Sequence, residues 1–219
     1  MPTRLGIDEA GRGCVLGPMV YAGCLVELDD EPSLTAAGVR DSKKVPKKKR
    51  EELRGLVEST AQGFTIVPLA PKELDATSLN ELGKRVLVDL TVALKPDILV
   101  FDAPVPPKQI PGYIKDLRAR LEARGVSPDL PIIGENGADD TYPCCAAASI
   151  LAKTERDAIL AQLQEEAGEP IGSGYPGDPV TTAWLKRSYD PEVGFPHFVR
   201  TKWETAKRIV AESAQGSLF

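Results

Sequence analysis

An α/β fold is what this sequence predicts, and three observations carry the prediction. Apolar runs of strand length recur at Arg4 to Asp8, Val20 to Leu28, Phe64 to Leu69, Asp97 to Asp102 and Leu130 to Ile133. Helical periodicity separates several of these runs. Two of the runs finish alike in a carboxylate, Asp8 and Asp102. In open α/β sheets ligands gather beyond the carboxyl ends of parallel strands, so these two acids converge if their strands are parallel neighbours.

The first run passes through Asp8 and Glu9 into the turn Gly11-Arg12-Gly13. Adjacent strand residues face opposite ways, so both acids serve one ligand only if the strand ends there or one of them reaches it through a twist or a water. The glycines let the main chain approach a ligand and take positive φ, and Arg12 offers a fixed fork of donors suited to phosphate. Taken alone, an acidic pair before a glycine-rich turn is usually a solvated loop.

The turn leads into Val20 to Leu28. A basic stretch follows, with eight bases and three acids from Arg40 to Arg54, and Pro46 to Glu58 reads as a helix. Such a run is either a solvated helix face or a phosphate contact. After Phe64 to Leu69, the stretch Leu79 to Leu94 sets Leu79, Leu82, Val86, Leu90 and Leu94 on one apolar stripe and is a helix. Ala103-Pro104 breaks the strand that ends in Asp102.

Asp139 and Asp140 then precede a long helix expected from about Pro143 to Ala167, and each reads as a third site carboxylate or as a helix cap. In that helix Lys153 and Arg156 lie one turn apart and share a face, while the alanines permit close packing. Arg156 is a phosphate contact or a partner of Asp157. Gly172 to Gly177 is a turn, with Tyr175 as its aromatic residue. There is no internal repeat and no low-complexity linker.

Composition suits one domain, or one domain with a helical appendage, for 219 residues of which 42% are hydrophobic. No apolar run approaches the roughly 18 residues of a membrane span, and the chain enters its first strand without a charged start and apolar leader core. The expected location is cytoplasmic. Cys14, Cys24, Cys144 and Cys145 lack zinc-ligand spacing and His partners, which argues against a zinc site. Cys14 and Cys24 meet across a hairpin or stay as buried thiols, the usual state in the cytosol. The net charge of −5 argues against a nucleic-acid partner, but the Arg40 to Arg54 stretch is +5 and the remainder −10, so a local basic surface survives.

Five segments, GIDEAGRG, RDSKK, VFDA, ADDTYPCCAAASILAKTERD and GSGYPGDP, occur in an order that resembles type 2 ribonuclease H (ribonuclease HII). The tail GFPHFVRTKWET looks like the archaeal members and the catalytic subunit of the eukaryotic enzyme. The resemblance spans about Leu5 to Ile209. It implies the ribonuclease H-like fold, a mixed five-stranded sheet flanked by helices, with residues 1–171 as the catalytic domain, 172–213 as a helical portion packed on it, and 214–219 as a tail.

By resemblance, Asp8, Glu9, Asp102 and Asp139 are the catalytic metal ligands. Asp139 is preferred to Asp140 because the family's acid directly follows alanine and stands three residues before Tyr-Pro. Clustered acids of this kind call for Mg²⁺ or Mn²⁺. Two such ions suit an in-line phosphodiester displacement, and the family's products carry 5′-phosphate and 3′-hydroxyl ends.

The implied activity is cleavage of RNA in RNA/DNA hybrids and at single ribonucleotides embedded in duplex DNA, in replication and repair. Gly11, Arg12 and Gly13 would read the 2′-hydroxyl through the main chain, and Tyr175 would pack on the following sugar. Lys43, Lys44, Lys153 and Arg156 are phosphate-contact candidates. Another nuclease of the same fold, a hybrid-binding module without activity and a two-carboxylate glycosidase are the competing readings. The length suits a monomer, and the likeness to a eukaryotic subunit leaves an assembly open. Gln215, Leu218 and Phe219 partly resemble a peptide that docks on the sliding clamp, with a frayed tail as the plain alternative.

Overall fold

The computed structural model describes residues 1–216. Five strands form one sheet in the order β3-β2-β1-β4-β5. They are β1 (Thr3–Ala10), β2 (Met19–Glu27), β3 (Gly63–Leu69), β4 (Ile98–Asp102) and β5 (Ile132–Glu135). β2 runs antiparallel to β1, whereas β4 lies parallel to β1 and β5 parallel to β4. The sheet is therefore mixed, as expected.

The helices are α1 (Glu31–Ala36), α2 (Lys47–Thr60), α3 (Pro71–Ala76), α4 (Leu79–Leu94), α5 (Ile110–Glu122), α6 (Ala138–Thr141), α7 (Pro143–Ala167), α8 (Pro179–Ser188) and α9 (Glu204–Gly216). α4 and α7 have the bounds that the sequence predicts. α5 escapes periodicity because Pro111 and Gly112 stand in its first turn, yet Tyr113, Leu117 and Leu121 repeat every four residues and are buried. None of the helices among the described residues is long and apolar enough to cross a membrane.

Both faces of the central strands are covered, which is why β2 reads as an unbroken apolar run and why consecutive residues from Leu5 to Asp8 of β1 are buried. On one face Ile7 pairs with Gly23 and Phe101, and Leu90 of α4 lies over Gly23 while Tyr113 of α5 packs on Phe101. On the other face Gly6 meets α7. A Cβ on Gly6 would lie 2.1 Å from the Cys144 carbonyl carbon, so helix backbone rests on strand backbone. The run Cys144-Cys145-Ala146-Ala147-Ala148 supplies side chains small enough for that contact, and all five are buried. All four cysteines are buried free thiols.

The chain divides into two compact units. The first holds residues 1–10, 20–67 and 79–155, and so contains nearly the whole sheet. The second is assembled from 11–19, 68–78 and 156–219. The second unit has its own core, in which Val15 and Leu16 join Ile171, Trp184, Leu185 and Phe198. Asp75 of α3 fastens that unit's last connection by accepting from the backbone N–H and hydroxyl of Thr201, both at 2.8 Å.

Replacing Gly6 by alanine should be severely destabilising, by about 3 kcal/mol or more, because neither strand nor helix backbone has room to yield. Thermal unfolding of Gly6→Ala against the parent checks this. A change below about 1 kcal/mol would show that α7 does not rest on β1 in this way.

Candidate active site

The parallel register pairs Ile7 with Phe101, which sets Asp8 beside Asp102 at the carboxyl ends of neighbouring strands. Asp8 lies two residues from Gly6 and therefore faces α7, where Ser149 hydrogen-bonds its carboxylate. Asp8 is 5% exposed and Asp139 7%. The Asp102 carboxylate accepts from the backbone N–H of Gly137 at 2.6 Å and of Ala138 at 3.3 Å, and so caps α6. Asn136 donates to the carbonyls of Ala103 and Val105, closing the loops on both sides. Gly137 sits at φ 74°, which reserves the position for glycine. Asp139 then falls in the first turn of α6.

Neither Asp139 nor Asp140 caps the long helix, because α6 intervenes before α7. The two neighbours differ in surroundings. Asp139 is buried among acids, while Asp140 is exposed and ion-paired with Lys44. β1 also continues to Ala10 rather than stopping at Asp8. Glu9 is half-buried, its N–H donates to Asp8 at 2.7 Å, and its charge weighs on Asp8 more than that of Asp139 or Asp102. The structure brings Asp8, Glu9, Asp102 and Asp139 close enough for their charges to act on one another.

Burial raises the Asp8 pKa well above the carboxylate range, and the charges of Glu9, Asp139 and Asp102 push it further. Burial also lifts Asp139 to about 6, with Asp41 and Asp102 adding to it and Lys43 opposing. Asp41 is thus an acid of the cluster that sequence reading did not single out, although the RDSKK segment contained it. At Lys43, burial lowers the pKa, but Asp41, Asp8, Asp139 and Asp102 outweigh it and hold the ammonium charged.

A hydroxyl chain supports Asp8. Ser42 and Ser149, both 3% exposed, lie with their hydroxyls 2.9 Å apart. The Ser149 hydroxyl donates to that of Ser42 and also hydrogen-bonds the Asp8 carboxyl group. Sequence reading missed both, since isolated serines carry no spacing signal.

Among the described residues no three His, Cys, Asp or Glu side chains close into a ready-made metal cage. Magnesium, however, usually keeps several waters and takes only one or two carboxylates together with substrate phosphates. Hard oxygens on Asp8, Asp102 and Asp139, with more negative charge than Lys43 offsets, fit an ion held in that open manner.

The remaining basic candidates separate by role. Within the Arg40 to Arg54 stretch, Arg50 is buried and donates to the Ser42 and Val45 carbonyls, and Arg54 pairs with Glu58 and Glu155. Lys43 and Lys44 remain exposed, and Lys153 of α7 is half-buried. Arg156 is placed otherwise than an accessible phosphate contact or a partner of Asp157 would be. It is 2% exposed, and its Nη2 donates to the carbonyls of Leu16 and Ser173.

Arg156 belongs with the second group of site residues. Gly11 has φ 84°, and a Cβ there would strike Arg156 Nε at 2.3 Å. The segment after Gly11-Arg12-Gly13 is tied to the Gly-Tyr-Pro turn by Val15 N–H donating to the Gly174 carbonyl at 2.8 Å. Asp178 holds that turn by accepting from the Ser173 N–H and hydroxyl, both at 2.7 Å. Tyr175, 43% exposed, carries the Arg156 guanidinium 5.7 Å from its ring centre. The Gly-Arg-Gly turn and Tyr175 thus form one hydrogen-bonded body. The motif of Gln215, Leu218 and Phe219 lies outside the described residues, apart from the Gln215 backbone in α9.

Comparison with known proteins agrees with this arrangement. The sequence profile of the family Ribonuclease HII matches residues 5–206. Ribonuclease HII of Methanocella arvoryzae is 37% identical, covering 99% of this chain and 96% of that protein. The Thermococcus onnurineus protein of the same name is 39% identical over 96% of this chain and 91% of its own. Among solved structures, the ribonuclease H2 of Pyrococcus horikoshii superposes with a TM-score of 0.85 at 34% identity, covering 97% of this chain and 99% of that one. The PCNA:RNase HII complex from Archaeoglobus fulgidus contains a chain with a TM-score of 0.79 at 36% identity, with coverage of 94% and 96%. A ribonuclease HIII in complex with Mn²⁺, at 19% identity and a TM-score of 0.75, shares the fold.

The raised Asp139 pKa carries a pH dependence. Its folded value of about 6 exceeds the unfolded value near 3.9, so the metal-free native state binds the extra proton between them. Its contribution to stability is full below about pH 4 and is lost as pH rises toward about 6. A divalent ion competes with that proton. The gain in Tm on replacing EDTA by Mg²⁺ or Mn²⁺ should therefore be small at about pH 5 and clearly larger at about pH 7.5. A gain independent of pH would remove Asp139 from the ion's surroundings.

Proposed function

The chain belongs to the ribonuclease HII family and is thus a metal-dependent endoribonuclease of RNA/DNA hybrids, and we propose that it also cuts at single ribonucleotides embedded in duplex DNA. The observation that carries the proposal is the meeting of Asp8, Asp102 and Asp139 at the carboxyl ends of parallel strands, with the lysines of a short basic segment beside them. Asp8, Glu9, Asp102 and Asp139 would hold Mg²⁺ or Mn²⁺. Two such ions supply activation of water and stabilisation of the leaving oxygen in an in-line phosphodiester displacement, with 5′-phosphate and 3′-hydroxyl products.

The protein's own groups account for the rest. Lys43 is kept charged by the surrounding acids and attracts the scissile phosphate, and Lys44 and Lys153 extend the cationic surface toward neighbouring phosphates. The Gly11, Arg12 and Gly13 main chain would meet the 2′-hydroxyl, the group that distinguishes RNA from DNA. An added Cβ at Gly13 meets nothing within 4 Å, which leaves that stretch open for a sugar to approach. Tyr175 presents an exposed ring for the next sugar, and Arg156 holds the two turns rather than the substrate.

A gel of a duplex carrying one ribonucleotide, with and without Mg²⁺, separates this reading from a strict hybrid nuclease, a resolvase and an inactive binding module. Asp8→Asn, Glu9→Gln, Asp102→Asn and Asp139→Asn should each slow cleavage at least about a thousandfold, roughly 4 kcal/mol of barrier, with the fold intact by circular dichroism. Asp140→Asn, which loses only a surface ion pair, should stay within about threefold. An inactive Asp140→Asn beside an active Asp139→Asn would reverse the ligand assignment.

Docking on a clamp is proposed for the tail. The Archaeoglobus fulgidus relative is in complex with PCNA, and Gln215, Leu218 and Phe219 offer the glutamine and apolar anchors of a docking peptide. Deleting residues 215–219 should leave cleavage of short duplexes unchanged and weaken binding to PCNA from the same source. Equal affinity with and without the tail, or none in either case, retires the idea.

A further inference from the structure

Arg200, a cation bonded to the Gly-Arg-Gly turn, was not singled out by sequence reading. It is fully buried, and its hydrogen bonds go to main chain. Nε donates to the Gly17 carbonyl at 2.9 Å and Nη1 to the Arg12 carbonyl at 3.2 Å. Its own backbone N–H donates to the Val15 carbonyl at 2.9 Å. One residue therefore grips the segment 12–17 at three carbonyls. The guanidinium is packed 5.0 Å from the centre of the Trp203 ring.

This arrangement is costly. Burial pushes the Arg200 pKa down to about 10, and Arg156 nearby acts in the same direction. Nη2 of Arg200 and Nε of Arg156 are buried without a hydrogen-bond partner among the described residues. An uncharged side chain of similar volume would fill the same space without desolvating a charge. What it would not do is hold two carbonyls five residues apart at the geometry of a rigid fork. The fork fixes the Arg12 peptide, the centre of the Gly-Arg-Gly turn, against Gly17.

We propose that Arg200 is a specificity-determining positioning residue, whose buried guanidinium fixes the Gly11-Arg12-Gly13 main chain in the conformation that distinguishes a ribose from a deoxyribose. The proposal rests on the reading of that turn as the 2′-hydroxyl contact. Arg200 touches neither substrate nor metal, and its effect passes through the Arg12 carbonyl.

The test measures affinity by fluorescence anisotropy for a duplex with one embedded ribonucleotide and for the all-deoxy duplex of the same sequence, with Ca²⁺ in place of Mg²⁺. The quantity read is the ratio of the two affinities. Arg200→Lys, which keeps the charge but not the fork, should reduce that ratio at least about tenfold, the scale of one hydrogen bond to a charged group. Affinity for the all-deoxy duplex should change little. Arg200→Gln provides a second variant if the lysine does not fold, with the same outcome expected. Asp75→Asn loosens the adjacent Thr201 connection without touching the turn, so it should lower Tm and leave the ratio alone. A parental ratio in a folded Arg200 variant, or an equal loss of ratio in Asp75→Asn, reduces Arg200 to a structural role and overturns the inference. If the parent protein itself binds both duplexes alike, the ribose-reading function has failed, and the Arg200 assignment goes with it.

Discussion

The contact between Gly6 and the first turn of α7 is the constraint on which the sheet-bearing unit depends. Because the helix backbone lies on the strand backbone, with a side-chain atom at position 6 excluded, the position of α7 relative to β1 is set with little tolerance. Two residues further along the strand the same face presents Asp8, and about one and a half turns further along the helix lies Ser149. The hydrogen bond between them follows from the glycine contact. The hydrophobic core alone would accept several packings of an alanine-rich helix. The requirement that Gly6 meet the Cys144 peptide selects one of them.

That geometry concentrates negative charge where the fold has no strong reason to keep it. Asp8 and Asp139 are buried, and each is made harder to ionise by burial first and by the other acids second. Lys43 offsets part of this charge, and the hydroxyls of Ser149 and Ser42 offset a little more. The arrangement is strained while metal-free and relieved by a cation. A cage of three ligands would remove the strain within the protein, but it would also leave fewer open positions on the ion. On the proposed ligand assignment, loosely gathered acids would leave room for substrate phosphate to complete the coordination, and ion and substrate binding would be mutually dependent.

Much of this was legible in the sequence. The five strands, α4 and α7 followed from apolar runs and periodicity, and the placement of Asp8 beside Asp102 followed from two strands ending alike. The failures have separate physical causes. Strand pairing carried β1 on to Ala10, because β2 continues to offer partners as far as Val20. α5 was hidden by the proline and glycine of its first turn. Arg156 and Arg200 were misread or missed because a charged residue in sequence suggests solvent. Their burial depends on carbonyls brought from distant positions, such as Ser173 and Gly17, which no local pattern reveals. The same holds for Ser42 and Ser149, 107 residues apart along the chain.

On the proposed reading of the Gly-Arg-Gly turn, the second unit shows what main-chain recognition demands. A side chain that reads a ligand is aimed by its own rotamer, but a peptide group is aimed only by the residues on either side. Gly11 and Gly13 provide freedom of approach, and that freedom works against precision unless something else removes it. Here the carbonyls of Arg12, Leu16 and Gly17 are each taken by an arginine, and Gly11 is fitted so closely to Arg156 that no side chain is admitted. Asp178 and Thr181 do the corresponding work for the Tyr175 turn. Flexible residues held by buried cations give an open but fixed backbone, and a one-atom difference between sugars can be read only by a backbone that does not move to accommodate either.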